Sequence, residues 1–124
     1  MPDKALLVET LTQIVQAAER ILKRFEPIKT SDDFLKDETG LEKMDAICMQ
    51  LIAIGESLKN VDKITESSLL PNYPQIDWKS VKGMRDIISH HYFDLNAEAV
   101  FDVCQSDVAV LKETVQQIIK DVTA

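Results

Sequence analysis

The chain is poor in the residues that break, bridge or bend a fold. Of 124 residues only three are glycine, four proline and two cysteine, and aromatic side chains make up 6%. So little glycine and proline excludes a collagen-like or low-complexity chain, and no internal repeat is visible. Cys48 and Cys104 stand alone, each inside an apolar helical pattern. They read as buried free thiols and not as a disulfide framework, and four ligands at zinc spacing are absent, so neither a metal nor another cofactor is expected. No apolar run approaches the roughly 20 residues of a membrane span. The opening MPDKALLVET has no basic segment followed by an apolar block, so no signal peptide is expected and the cytoplasm is the expected location. Basic residues are also scarce, 14 against 21 acidic ones, for a net charge of −7. A protein that coats nucleic acid needs a broad basic surface, so any contact with RNA must be made in a small local site. The alternative use of such a surface is to meet a basic partner.

What the chain has in quantity is helix periodicity. Hydrophobic residues make up 45% and charged residues 28%, the balance of a compact domain with one core, here residues 1–124. Three segments repeat apolar residues in steps of three and four: Leu7, Leu11, Ile14, Ala18, Ile21 and Phe25; Leu41, Met44, Cys48, Leu51, Gly55 and Leu58; Cys104, Val108, Leu111, Val115, Ile118 and Val122. Each stripe must be buried against the others. The expected fold class is all-α, a four-to-five-helix up-and-down bundle. Pro27 ends the first helix or follows its end closely. Ser31 and Asp33 start a short helix through Phe34 and Leu35. Thr39-Gly-Leu-Glu42 fits a capping box for a second helix running from about Leu41 to Glu66. The stretch LLPNYPQIDW, with two prolines, is a loop. A further helix begins near Lys79 or Ser80, and Asn96 caps the last one, with Glu98 in its first turn. Trp78 plugs the core beside the loop. Gly55, costing roughly 1 kcal/mol within a helix, points to close helix packing. Glu56 after it either faces the cleft or, as the first reading, is an exposed glutamate.

The chemistry-bearing residues concentrate in KGMRDIISHHYFDLN, residues 82–96. At about 100° per residue, Val81, Met84, Ile87, Ile88 and His91 share one side of a helix. Lys82, Arg85, Asp86, Ser89 and His90 share the other. Tyr92 falls about 20° from Arg85, two turns along. Asp86 lies one turn before His90 and is placed to hold its ring and raise its basicity. Arg85 and His90, however, are about 140° apart. To aim both at one phosphate, either the helix ends before His90 or a second copy of the chain completes the site. Histidine serves as base or acid near neutrality, and arginine clamps phosphate oxygens with a permanent charge. Together they supply what RNA cleavage requires, without a metal.

Arg85, four intervening residues, His90, His91 and Tyr92 reproduce R-x4-H-x-Y. This stretch resembles the signature of the HEPN superfamily, specifically of HepT-like toxins from bacterial and archaeal toxin–antitoxin pairs. MDAICMQLIAIGESLKNV resembles the second long helix of that family, and YPQIDWKSVKGMRDIISHHYF its Pro-rich loop, tryptophan, Gly-Met-Arg and His-x-Tyr run. The likeness is best over residues 41–96. It implies a HEPN-like helical homodimer with a cleft between protomers and a metal-independent ribonuclease in which Arg85 and His90 are catalytic. It also implies an MntA-type nucleotidyltransferase antitoxin able to attach AMP to Tyr92. The residue after the arginine is often asparagine in the family; here it is Asp86. Ser89 and Lys82 are supporting candidates, and His91 has an apolar-side, structural expectation. The rival expectation is a non-catalytic helical partner or substrate-binding subunit of a nucleotidyltransferase.

Overall fold

The computed structural model describes residues 3–91 and 96–124, His91 by its backbone only. Helix α1 spans Lys4–Phe25. Asp3 caps it, its carboxylate accepting the Leu6 N–H at 3.0 Å, and Lys23 and Arg24 meet the negative end of the helix dipole. The expected stripe is its buried face, from Leu7 to Ile21, and Phe25 packs its ring near those of Phe34 and Phe101. Pro27 follows two residues beyond the end. The short helix expected at Ser31 is one 3-10 turn, Ser31–Phe34, and Leu35 lies outside it, exposed. The Asp33 carboxylate ties the turn together by accepting the N–H groups of Lys29 and Thr30 at 2.8 and 3.1 Å.

Helix α2 runs Glu38–Thr65, and its start corrects the expected capping box. Asp37 and not Thr39 is the cap, its carboxylate accepting the Gly40 N–H at 2.8 Å, so Thr39 and Glu42 lie within the helix. The reason is packing. A Cβ on Gly40 would sit 2.0 Å from the Asp33 carbonyl oxygen, so the first helical turn is pressed against the Ser31–Phe34 turn and needs glycine there. The helix stops at Thr65, with Glu66 in left-handed backbone at φ 54°. A 3-10 turn, Leu70–Asn72, occupies the proline loop. Tyr73 in that loop donates its hydroxyl to the Asp121 carboxylate, and Trp78 donates its indole N–H to the Tyr73 carbonyl at 2.9 Å. Helix α3, Trp78–His91, therefore starts one or two residues earlier than expected, with buried Trp78 as its first residue. Asp77 accepts from Ser80 through both its backbone N–H and its hydroxyl.

The last stripe forms α4 (Ala97–Asp102), a π turn (Val103–Asp107) and α5 (Val108–Thr123), which abut as one rod. Asn96 caps it as expected, accepting from Glu98 and Ala99. The π turn is new, since one extra residue in a turn leaves the apolar stripe readable on either side. Cys48 and Cys104 are buried and free, and burial pushes their thiols up to about 11 and about 12. Helix α1 lies along α2 and α5, and α2 lies along α3, around one continuous apolar core. The fold is the expected all-α, HEPN-like bundle. Among the described residues there is no strand, and no helix is long and apolar enough to cross a membrane.

Three carboxylates sit below the ordinary value of 3.8: Asp33 in the 3-10 turn through the Lys29 N–H, Asp77 before α3 through the Ser80 hydroxyl, and Asp121 on α5 through the Tyr73 hydroxyl. Their folded values lie below the unfolded ones, so the unfolded chain binds more protons between the two, and stability rises with pH through that window. The urea midpoint is expected to fall as pH drops from about 5 toward 2. The slope should be shallower in the Asp33→Asn, Asp77→Asn, Asp121→Asn triple variant. An identical slope in that variant refutes this source of acid sensitivity.

Candidate active site

The site is built where α3 meets α2. A Cβ on Gly55 would lie 3.3 Å from the Lys82 carbonyl oxygen and 3.4 Å from both Arg85 Cβ and the Val81 carbonyl oxygen. The two backbones therefore touch at this point, as the glycine's place in the stripe predicted. The seam on α3 is Val81, Arg85 and Ile88, spaced by four and three. Ile88 is buried. Ile87, expected on the apolar side, is instead 58% exposed. The seam is narrow, and a residue one step from Ile88 is rotated by about 100° away from it.

Because its Cβ is in the seam, Arg85 emerges at the edge of the α2–α3 junction. Its Nε stands 2.8 Å from Glu56 Oε1 as an ion pair, and its Nη1 donates to Asp86 Oδ1 at 3.1 Å. Lys59 Nζ stands 3.9 Å from the same Glu56 oxygen. Lys82, one of the supporting candidates, is half-buried and bonded to Asp62 on α2, so its ammonium clamps the two helices together. The Arg85 pairs are partly exposed, and pairs of that kind are worth on the order of 0.2–1 kcal/mol. They orient a side chain and do little for stability. Glu56 was not among the expected site residues, its exposed reading having been preferred to a place at the cleft. The signal that finds it is its position directly after the packing glycine.

His90 is exposed one turn beyond Arg85, and its Nδ1 lies 2.9 Å from the Asp86 carbonyl oxygen. The expectation that the Asp86 carboxylate holds this ring is corrected: the backbone oxygen does so, and the carboxylate turns to Arg85. A carbonyl oxygen only accepts, so in neutral His90 Nδ1 carries the proton and Nε2 is left as the basic nitrogen. Ser89 is exposed and borders a shallow hollow of about 260 Å³ with Met49, Ile52 and Ile88. Helix α3 continues through both histidines, so it does not end before His90 and one of the two expected routes to a joint site is removed. Tyr92 lies outside the described residues. Among the described residues no group of three or more His, Cys, Asp or Glu side chains is placed to hold a metal ion. A cavity of about 490 Å³ between α3 and the π turn is lined mainly by apolar residues, and neither Arg85 nor His90 borders it.

Residues 14–118 match the family model described as ribonuclease HepT-like. The chain belongs to the HepT-like ribonuclease family. It is 34% identical to a Methanocaldococcus jannaschii protein named "Putative RNase MJ0127", over 75% of this chain and 71% of that one. It is 26% identical to "Probable ribonuclease HepT" of Thermococcus cleftensis, over 89% of this chain and 93% of that one. No solved structure matches the chain. The span matched in this HepT-like chain contains Gly55, Glu56, Arg85 and His90, so the α2–α3 junction lies inside the region that defines the family.

Two glycines on the junction have opposite surroundings. Nothing lies within 4 Å of a Cβ built on Gly83. Gly83→Ala is expected to raise stability by about 0.5–1 kcal/mol through helix propensity. Gly55→Leu is expected to lower it by about 1–3 kcal/mol by forcing α3 off α2. Urea denaturation of both variants checks this; equal stability of Gly55→Leu and the parent contradicts the close contact.

Proposed function

We propose that this HepT-like chain is a single-domain, metal-independent endoribonuclease and the toxin half of a toxin–antitoxin pair. The observation that carries the reading is that α3 presents to solvent, one turn apart, a guanidinium and a histidine whose Nε2 is left basic by the bond at Nδ1. In the proposed reaction His90 Nε2 takes the proton of a ribose 2′-hydroxyl. The oxygen attacks the adjacent phosphorus, and Arg85 stabilises the charge that builds on the phosphoryl oxygens. The 5′-oxygen leaves with a proton from an acid, and the products are a 2′,3′-cyclic phosphate and a 5′-hydroxyl end. Since α3 stays helical through His90, the second of the expected routes remains. Two copies of the chain bring the Arg85 of one and the His90 of the other to a shared cleft, and the second imidazole, protonated, serves as the acid. Asp86 and Ser89 support this surface.

The partner we propose is an MntA-type nucleotidyltransferase antitoxin. Attachment of AMP to Tyr92 places bulk and negative charge near Arg85 and repels the RNA phosphate; simple occlusion of the cleft has the same effect. A second reading, a non-catalytic partner subunit of a nucleotidyltransferase, draws on the two carboxylates that already occupy Arg85.

The test is cleavage of transfer and messenger RNA by the purified chain with a chelator present, after intact-mass measurement has shown it free of AMP. Arg85→Ala and His90→Ala are expected to lose at least about 100-fold in rate while keeping the parent's urea midpoint within a few tenths of a molar. A folded, unmodified parent that leaves both RNAs intact favours the partner-subunit reading.

A further inference from the structure

The arginine on which the proposed cleavage depends is not free in the structure. Two carboxylates hold its guanidinium, and they differ in kind. Asp86 is the chain neighbour of Arg85, moves with it on α3, and fixes nothing relative to the core. Glu56 comes from α2, one residue after the point where the α2 and α3 backbones touch. Its carboxylate is therefore anchored to a different element, and Lys59 flanks it. An arginine side chain that is 42% exposed is free to sample many rotamers. Its planar fork, once held at Nε, directs the remaining Nη donors along one line.

The charges add a second constraint. With Lys59 beside Glu56, two cations meet two anions, so the cluster of Glu56, Lys59, Arg85 and Asp86 carries no net positive charge before any RNA arrives. A phosphate that takes a bidentate grip on Arg85 must displace a carboxylate. The Asp86 contact is the longer, 3.1 Å against 2.8 Å, and Asp86 is the more exposed of the two, 54% against 49%. Pairs this exposed are weak enough to exchange.

We propose that Glu56 is a positioning residue for Arg85: it holds the Nε edge so that the Nη edge meets the RNA phosphate, which displaces Asp86. The inference rests on the ribonuclease reading of the site. It assigns Glu56 two effects of opposite sign. Its charge repels RNA, and its grip on Arg85 speeds cleavage. A merely structural residue moves binding and rate in the same direction.

The test uses the whole 124-residue chain with a short single-stranded RNA. Single-turnover rates are measured on the RNA, and affinity on its 2′-O-methyl analogue, which has no 2′-hydroxyl to attack. Glu56→Gln is expected to cut the rate constant about tenfold through lost orientation. The same variant should tighten binding about two- to fivefold, the equivalent of one weak surface charge interaction. Glu56→Asp should recover part of the rate. Glu42→Gln, an exposed acid at the start of α2, controls for loss of charge alone and should not slow cleavage. An unchanged rate in Glu56→Gln, or a joint loss of rate and affinity, overturns the proposal. A readout free of activity is the Arg85 Nε–H signal in a nitrogen-15 spectrum, assigned by its disappearance in Arg85→Lys. It should shift in Glu56→Gln, which removes the carboxylate charge beside it; a signal indifferent to that change also overturns the proposal. A parent that cleaves no RNA while this signal still responds to Glu56 sinks the ribonuclease reading, and with it the role in cleavage, but leaves the pairing standing.

Discussion

The backbone contact between α2 and α3 at Gly55 is the constraint on which the rest of the site depends. Without a side chain at that position the Lys82 carbonyl and the Arg85 Cβ come within van der Waals reach of α2. Everything chemically notable is measured from there. Arg85 is carried to the rim of the junction, Glu56 is brought across to its Nε, and Lys82 reaches Asp62 to close the seam on the other side. A larger residue would move α3 outward as a body, and the two contacts would be lost together, because they share one helix and one point of support.

The electrostatics of the chain follow a similar economy. With a net charge of −7, the protein offers no long-range attraction to RNA. In the site itself Lys82 and Arg85 are already matched by acids. Affinity for a polyanion must then come from exchange of partners at short range and not from steering. Such a site binds weakly unless its geometry fits, which limits it to substrates, or to a second protein chain, that seat correctly on α3.

Much of the fold was legible because helix burial repeats every three to four residues and does so over long stretches. The three stripes became the buried faces of α1, α2 and the final rod nearly residue for residue. Element ends were less legible, because caps compete locally. Asp37 and Thr39 are both good caps, and the choice between them was made by the Ser31–Phe34 turn lying against Gly40, a contact between segments. The π turn escaped notice because periodicity on each side of it stays intact. Ile87 was misplaced because a helix that packs on a narrow seam buries less than its full apolar side.

For the site, the sequence by itself determined that Asp86, Ser89 and His90 lie on the exposed side of α3, with Arg85 at its edge, and the R-x4-H-x-Y spacing of Arg85, His90 and Tyr92 pointed to the family. What only the tertiary structure decided is how those groups are engaged. The carboxylate of Asp86 faces Arg85 and its carbonyl holds His90, a division of one residue's atoms that no spacing rule specifies. Glu56 joins Arg85 from 29 positions earlier in the chain. The physical reason is that helical periodicity fixes the direction of a side chain about its own axis, whereas its partners depend on the distance and register between two helices, and that distance is set by the atoms missing at Gly55.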